Sequence, residues 1–219
     1  MTQLQDKVIV IAGATSASGR AVARTLVDAG ARVVVVGSHQ GRLDELEVEI
    51  PGVVGERADL TDGDDVLELA MRVHARVGDV DGIVHLIGGW RGGGGIAGQT
   101  EEDYRVLERS FTALRYVSRV FFDDLVHSDA GRIAIVSSTT VEKPTAGGAN
   151  YTAIKAASES WMRSLADGFA KAGSPAAAVT FRVKSLAGLE GRLADEVVAL
   201  WSTDAAAADL NGRITTLAA

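Results

Sequence analysis

Short runs of Val, Ile and Ala recur along the chain, and the stretches between them turn helical in composition. The runs fall at 8–12, 32–36, 53–58, 82–87, 132–137, 177–183 and 213–217. The helical stretches fall at 20–29, 42–48, 64–77, 101–127, 151–172 and 192–202. Most runs set apolar residues side by side rather than alternating them with polar ones. A strand with one wet face alternates apolar and polar residues, whereas a strand covered on both faces does not. Such strands alternating with helices require βαβ crossovers, and crossovers of one hand build one doubly wound sheet. The chain therefore predicts an α/β fold: a single domain over residues 1–219, with about seven parallel strands and helices on both faces. Nothing reads as a linker, a repeat or a low-complexity tract.

In a sheet of this kind, ligands bind beyond the carboxyl ends of the strands, where the strand order reverses. The first run passes directly into GATSASGR, residues 13–20, and a helix opens behind it. Gly13 can make the tight turn and Gly19 lets the helix approach the strand. Thr15, Ser16, Ala17 and Ser18 are small enough to leave a pyrophosphate room at the helix N-terminus. The spacing is not G-x-G-x-x-G, so the motif draws its weight from its place as the first βα turn. With it, the expected fold is a Rossmann-type nucleotide-binding domain.

A second glycine-rich stretch, HLIGGWRGGGG at 85–95, follows the fourth run. No helix begins close behind it, because about a dozen residues separate Ile87 from the helical pattern near Glu101. A phosphate cradle needs that helix. The stretch reads instead as a mobile lip over the site, with Ile87, Gly88 and Gly89 near a cofactor and Trp90 offering a flat face to a substrate.

YTAIK sets Tyr151 and Lys155 four apart on one helical face, and upstream IAIVSSTT ends a buried strand in Ser137 and Ser138. A neighbouring ammonium favours a phenolate, so such a tyrosine can exchange a proton with a substrate oxygen. A serine hydroxyl can hydrogen-bond the same oxygen.

With these residues in view, the chain resembles the short-chain dehydrogenase/reductase family over essentially its whole length. The likeness rests on the N-terminal glycine turn, ADLTD after the third run, a serine thirteen residues before the tyrosine, and YTAIK. It implies an NAD(P)-dependent oxidoreductase acting on a carbonyl or alcohol. Ser138 would polarise the carbonyl and Tyr151 would be the general acid/base. Lys155 would lower the tyrosine pKa and hold the nicotinamide ribose. Asp59, with the backbone of Leu60, would contact adenine. The family's habit also implies a homodimer or homotetramer.

The chain departs from the family pattern at several places. His85, Leu86, Ile87 and Gly88 stand where the family has Asn-Asn-Ala-Gly. Ser110 replaces the asparagine of the family's proton relay, and Ala17 replaces the second glycine of the turn. FRVKSLAG lacks the Pro-Gly that usually follows the sixth strand, and only a short segment then leads to the last helix. The site is therefore expected to be open. Dihydropteridine reductases are similar in their Gly-Gly-Trp loop, their serine at the relay position and their short chain. They suggest a flat heterocycle as an alternative substrate. A further alternative is a nucleotide-sensing or scaffold protein on the same fold.

Cofactor preference follows from VVVVGSHQGR. NAD-preferring relatives close the second strand with an acidic residue that bonds the ribose 2′-OH and repels a 2′-phosphate. Gly37 stands there, followed by Ser38 and His39 as donors and Arg42 as a charged partner. NADP(H) is expected over NAD(H).

Other classes are disfavoured. The net charge of −7, without a cluster of Lys or Arg, argues against nucleic acid or an anionic membrane as partner. There is no cysteine, and His39, His74, His85 and His127 lie in separate elements, so no metal site is expected. His85 reads as a satisfied buried histidine. MTQLQDKVIVIAG has no signal-like pattern, so a soluble cytoplasmic enzyme is expected. Phe111, Leu114, Val117, Phe121 and Phe122 form either a wide core stripe or a dimer seam.

Overall fold

The computed structural model describes residues 4–203 and 205–218. Seven strands form one sheet: β1 (Val8–Ala12), β2 (Arg32–Gly37), β3 (Val53–Arg57), β4 (Gly82–His85), β5 (Arg132–Ser138), β6 (Ala177–Val183) and β7 (Ile214–Thr216). Every neighbouring pair is parallel, in the order β3-β2-β1-β4-β5-β6-β7. The order reverses between β1 and β4, which places a crevice at their carboxyl ends.

The helices are α1 (Ala17–Asp28), α2 (Gln40–Glu49), α3 (Gly63–Arg76), α4 (Glu101–Val120), α5 (Phe122–His127), α6 (Ala149–Lys171), α7 (Glu190–Ala199) and α8 (Ala207–Leu210). They cover both faces. Leu26, Leu43, Leu46, Leu193 and Val197 from α1, α2 and α7 pack on Ile9, Ile11, Val33 and Val35. Val66, Leu69, Leu114, Met162 and Phe169 from α3, α4 and α6 pack on Val10, Val34, Ile83 and Ile133. Because successive strand residues point to opposite faces, both of which are covered, apolar residues are needed on each, which is why the runs do not alternate. Each such side chain contributes ~1.5–3 kcal/mol by leaving water. Among the described residues no helix is long and apolar enough to cross a membrane.

Local chemistry moves several boundaries from their expected places. α1 opens three residues before the expected start, because the Ser16 hydroxyl accepts from the Gly19 amide at 3.0 Å and caps the helix. β4 ends at His85, leaving Leu86 and Ile87 to begin the loop. The expected helix over 101–127 is two helices that share Phe121 as terminus. The break lets Phe121 enter the core while Phe122 stacks on Phe169 at 5.2 Å between ring centroids. Phe111 meets Trp161 edge-on at 6.3 Å. All five residues of the apolar stripe thus have partners within their own chain, as the wide core stripe requires.

Candidate active site

The β1–α1 turn and the exit of β4 meet across the crevice. Gly13 has φ +85°, and a Cβ there would lie 3.0 Å from the Ile87 nitrogen. A Cβ on Gly19 would lie 2.4 Å from the Ala14 carbonyl oxygen. Both positions therefore exclude a side chain, and their bareness brings the N-terminus of α1 to the rim of a cleft of about 560 Å³. Ser16 and Ser18 line it on that side and Ile87, Gly88, Gly89 and Trp90 on the next. Ser138, Thr140, Tyr151 and Lys155 line the far side, and residues 184–186 after β6 form the remaining rim.

Ser138 ends β5, so a buried strand holds its hydroxyl with only 2% exposure. The Ser138 oxygen accepts from the Thr140 amide at 3.2 Å and from the Thr140 hydroxyl at 3.0 Å. Thr140 in turn is 3.1 Å from the Thr152 hydroxyl. With two bonds accepted, Ser138 has its own proton left to donate, and the neighbouring partner is the Tyr151 oxygen. Burial raises the Tyr151 pKa, and this hydrogen bond opposes the shift without cancelling it. Tyr151 is therefore a neutral phenol at pH 7. Thr140, two residues after Ser138 in SSTT, does work that spacing alone does not announce.

Lys155 lies one turn after Tyr151 on α6, its Nζ 5.8 Å from the Tyr151 ring centroid. It donates to the Val136 carbonyl at 2.8 Å. Burial pushes its pKa down to about 8, with the Glu159 carboxylate pulling the other way. Glu159, one turn further on, is 1% exposed and accepts from Ser137 at 2.7 Å and from Nε and Nη2 along one edge of the Arg182 guanidinium at 2.8 and 2.7 Å. Burial alone would raise its pKa, but the bonds from Arg182 and Ser137 prevail and hold it low.

The buried Lys155 charge has a measurable consequence. Its pKa is about 8 folded against 10.5 unfolded, so the folded state binds the proton less well. The resulting cost to stability is full below about pH 8 and fades as pH rises towards 10.5. Thermal melts of Lys155→Met should therefore gain most on wild type near pH 7. That gain should shrink steadily by pH 10; a difference independent of pH would show that the ammonium is solvated.

The remaining candidates lie along the same carboxyl edge. Gly37 ends β2, where a Cβ would meet Thr15 and Leu43 at 3.5 Å. Ser38 and His39 follow it, both exposed, and Arg42 sits in the first turn of α2. Asp59 and Leu60 follow β3. The Asp59 carboxylate accepts from the Thr61 amide and hydroxyl at 2.9 and 2.6 Å and pairs with Arg109 at 3.4 Å. Ala17, the first residue of α1, is exposed between Ser16 and Ser18.

Ser110 is not brought to the Ser138–Tyr151–Lys155 cluster. It lines a smaller cavity of about 300 Å³ with Ile87, Gly88, Gly89 and Arg91, and its hydroxyl donates to the Leu107 carbonyl at 2.7 Å. His85 is buried beneath it. Its Nε2 donates to the Ser110 carbonyl at 3.0 Å, while Nδ1 has no partner among the described residues. The expectation of a satisfied histidine thus holds for one ring nitrogen only. Burial and the nearby Lys155 charge push its pKa down to about 3, so the ring is neutral.

The glycine loop is fastened, contrary to the expected mobile lip. The Gly93 amide donates to Gly147 at 2.8 Å, and the Gln99 side chain bonds both the loop and the start of α6. At the opposite end of the sheet, ligand atoms of His74, Asp79 and Asp124 lie within 4.8 Å of one another, a grouping that sequence separation conceals. There Asp124 accepts from His74 at 2.7 Å and from the Val80 amide at 3.0 Å.

Comparison with known proteins bears on this geometry. Residues 7–183 match the short chain dehydrogenase family model. An uncharacterized oxidoreductase of Staphylococcus saprophyticus is 28% identical over 79% of this chain and 76% of its own. An acetoacetyl-CoA reductase of Synechocystis is 30% identical over 80% of this chain and 71% of its own. The 3-ketoacyl-(acyl-carrier-protein) reductase of Brucella melitensis, solved with NADH, superposes with a TM-score of 0.86 over 98% of both chains at 21% identity. That structure supports the fold, whereas the family match runs in sequence from the residue before β1 to the last residue of β6. The chain accordingly belongs to the short-chain dehydrogenase/reductase family of oxidoreductases.

Proposed function

We propose that this oxidoreductase is NAD(P)-dependent and interconverts a carbonyl and an alcohol on a small molecule, with Tyr151 as general acid/base. The observation that carries the reading is the convergence of Ser138, Tyr151 and Lys155 on a cleft whose opposite rim is the N-terminus of α1. A dinucleotide fits the residues present. Bare backbone at Gly13 and Gly19 and a helix N-terminus suit a pyrophosphate. Gly88 leaves Lys155 Nζ 3.4 Å from where a Cβ would sit, so a sugar can approach the ammonium. Gly13, Thr15, Ser16, Ala17, Ser18 and Gly19 would hold the phosphates; Asp59 and Leu60 the adenine; Ile87, Gly88 and Gly89 the middle of the molecule.

The nicotinamide, when bound, supplies or accepts the hydride. The chain's own residues handle the oxygen. Ser138 donates a hydrogen bond to the substrate carbonyl oxygen and fixes its distance from Tyr151. In reduction, Tyr151 delivers its proton to that oxygen as the carbonyl carbon gains the hydride. Burial suits it to this task, since the raised pKa keeps the phenol protonated at neutral pH. The Lys155 ammonium stabilises the phenolate left behind. In oxidation each proton step reverses.

We further propose NADP(H) as the preferred cofactor. No carboxylate stands at Gly37 to repel a 2′-phosphate. Arg42 forms no ion pair among the described residues, and neither does Arg57, which the β2–β3 register sets directly beside Gly37. Calorimetric titration of both reduced cofactors at equal ionic strength tests this. NADPH should bind more tightly, and Arg42→Ala should narrow the gap by about tenfold, as loss of one charge-assisted bond implies. Tighter binding of NADH would end the NADP(H) reading. Trp90, in the cleft wall and 61% exposed, favours a second reading in which the substrate is a flat heterocycle. Cofactor oxidation should therefore be followed with a panel of carbonyls and a quinonoid dihydropterin. Binding without turnover on the whole panel would favour a nucleotide-sensing or scaffold role.

A further inference from the structure

Gln99 joins two parts of the site that are far apart in sequence. The two N–H groups of its amide nitrogen are shared among the carbonyls of Gly93, Gly95 and Gly147, at 3.0, 3.1 and 3.1 Å. Its carbonyl oxygen accepts from the Asn150 amide at 3.1 Å. Chemistry fixes the orientation of the side-chain amide: three of the partners can only accept and the fourth can only donate. Two parallel bonds accompany it, Gly93 amide to Gly147 carbonyl at 2.8 Å and Asn150 side chain to Thr100 carbonyl at 3.2 Å.

The two halves of the amide meet different needs. α6 begins at Ala149 behind Gly148, which has no side chain to cap the first turn. The first amides of a helix have no partner within it. Gln99 supplies one from outside, at Asn150, and the next residue is Tyr151. The other half acts on residues 92–95, four glycines with positive φ. Such a segment loses much entropy on ordering and needs external bonds to hold one shape. A Cβ on Gly92 would lie 2.3 Å from the Gly147 oxygen and 3.3 Å from the Trp90 ring, so the loop's seat on Gly147 also sets where Trp90 stands.

We infer that Gln99 is a positioning residue with two separable actions: its carbonyl holds the helix start that carries Tyr151, and its amino group holds the loop that carries Trp90. The inference rests on Tyr151 being the acid/base and on Trp90 facing substrate. It predicts that kcat follows the first action and KM the second.

The test compares Gln99→Met, which removes both halves, with Gln99→Glu. The latter keeps an acceptor, whose charge suits a helix N-terminus, and loses the donors. Hydrogen exchange of residues 91–98 and 147–152 is measured alongside kcat and KM. Gln99→Met should speed exchange about tenfold in both segments, lower kcat and raise KM. Gln99→Glu should recover kcat and slow exchange at 147–152, while the loop exchange and KM stay raised. Unchanged exchange at 91–98 in Gln99→Met, or a kcat that Gln99→Glu does not recover, would overturn the inference. The Tyr151→Phe variant separates the two failures. If it keeps wild-type kcat, the acid/base reading has failed. If it loses turnover while Gln99→Met keeps its own, the positioning inference has failed.

Discussion

Tyr151→Phe should yield a folded protein that binds reduced cofactor as wild type does and turns over some 10²–10⁴-fold more slowly, the usual worth of a placed general acid. The substitution removes one oxygen. The ring keeps its contacts on α6, and Lys155 keeps its bond to the Val136 carbonyl. The residues that would grip a dinucleotide, from Gly13 to Gly19, lie across the cleft and are untouched. The loss should therefore appear in kcat and leave the cofactor Kd nearly unchanged. Ser138 gains no substitute role, because an aliphatic hydroxyl is a much weaker acid than a phenol and can hydrogen-bond the substrate oxygen without delivering a proton to it. Stopped-flow single turnovers with the best substrate of the panel would separate the proton step from product release. Retention of wild-type kcat would remove Tyr151 from the chemistry.

The parts of this molecule that are legible in its sequence are those governed by local physics. Val8–Ala12 and Ala177–Val183 stand as strands over the expected residues, because burial on both faces leaves apolar residues side by side, broken in the second only by Thr180 and Arg182. Tyr151 and Lys155 share a helical face because a spacing of four dictates it. The first βα turn shows in its glycines. What stays hidden depends on partners far away in the chain. Gln99 meets Asn150 across 51 residues, and Glu159 meets Arg182 across 23. No period or spacing signals such contacts. The break at Phe121 is hidden for a related reason. Residues 101–127 carry uniform helical composition, and only the separate destinations of Phe121 and Phe122 in the packed core divide them. The glycine loop misleads most, since its composition suggests mobility while its fastening lies in the Gln99 side chain and in the bond from the Gly93 amide to the distant Gly147 carbonyl.

Arg182→Met should destabilise the protein by about 3–5 kcal/mol, the cost of leaving a buried carboxylate without its cation. For a chain of this length that lowers Tm by roughly 10 °C or more. The argument turns on Glu159, which is 1% exposed and grips the guanidinium with both oxygens. Once Arg182 is gone, only the bond from Ser137 and the Arg163 charge remain to oppose burial, the largest influence, so the Glu159 pKa should rise above its unfolded value of 4.5. A raised carboxyl pKa contributes stability only where the group is protonated. The deficit of the variant should thus be smallest below about pH 4.5 and grow as pH rises to neutrality. Replacing both partners removes the buried charge altogether, and an apolar pair of similar volume is close to neutral. Glu159→Met/Arg182→Met should therefore regain most of the lost Tm in a double-mutant cycle. It should not regain all activity. Glu159 is the group that raises the Lys155 pKa against the effect of burial, and without it less of that lysine is charged at pH 7. Turnover of the double variant should recover as pH falls below neutral, where the ammonium returns. An Arg182→Met variant losing less than about 1 kcal/mol would show that water reaches Glu159 and that no buried charge pair supports this side of the cleft.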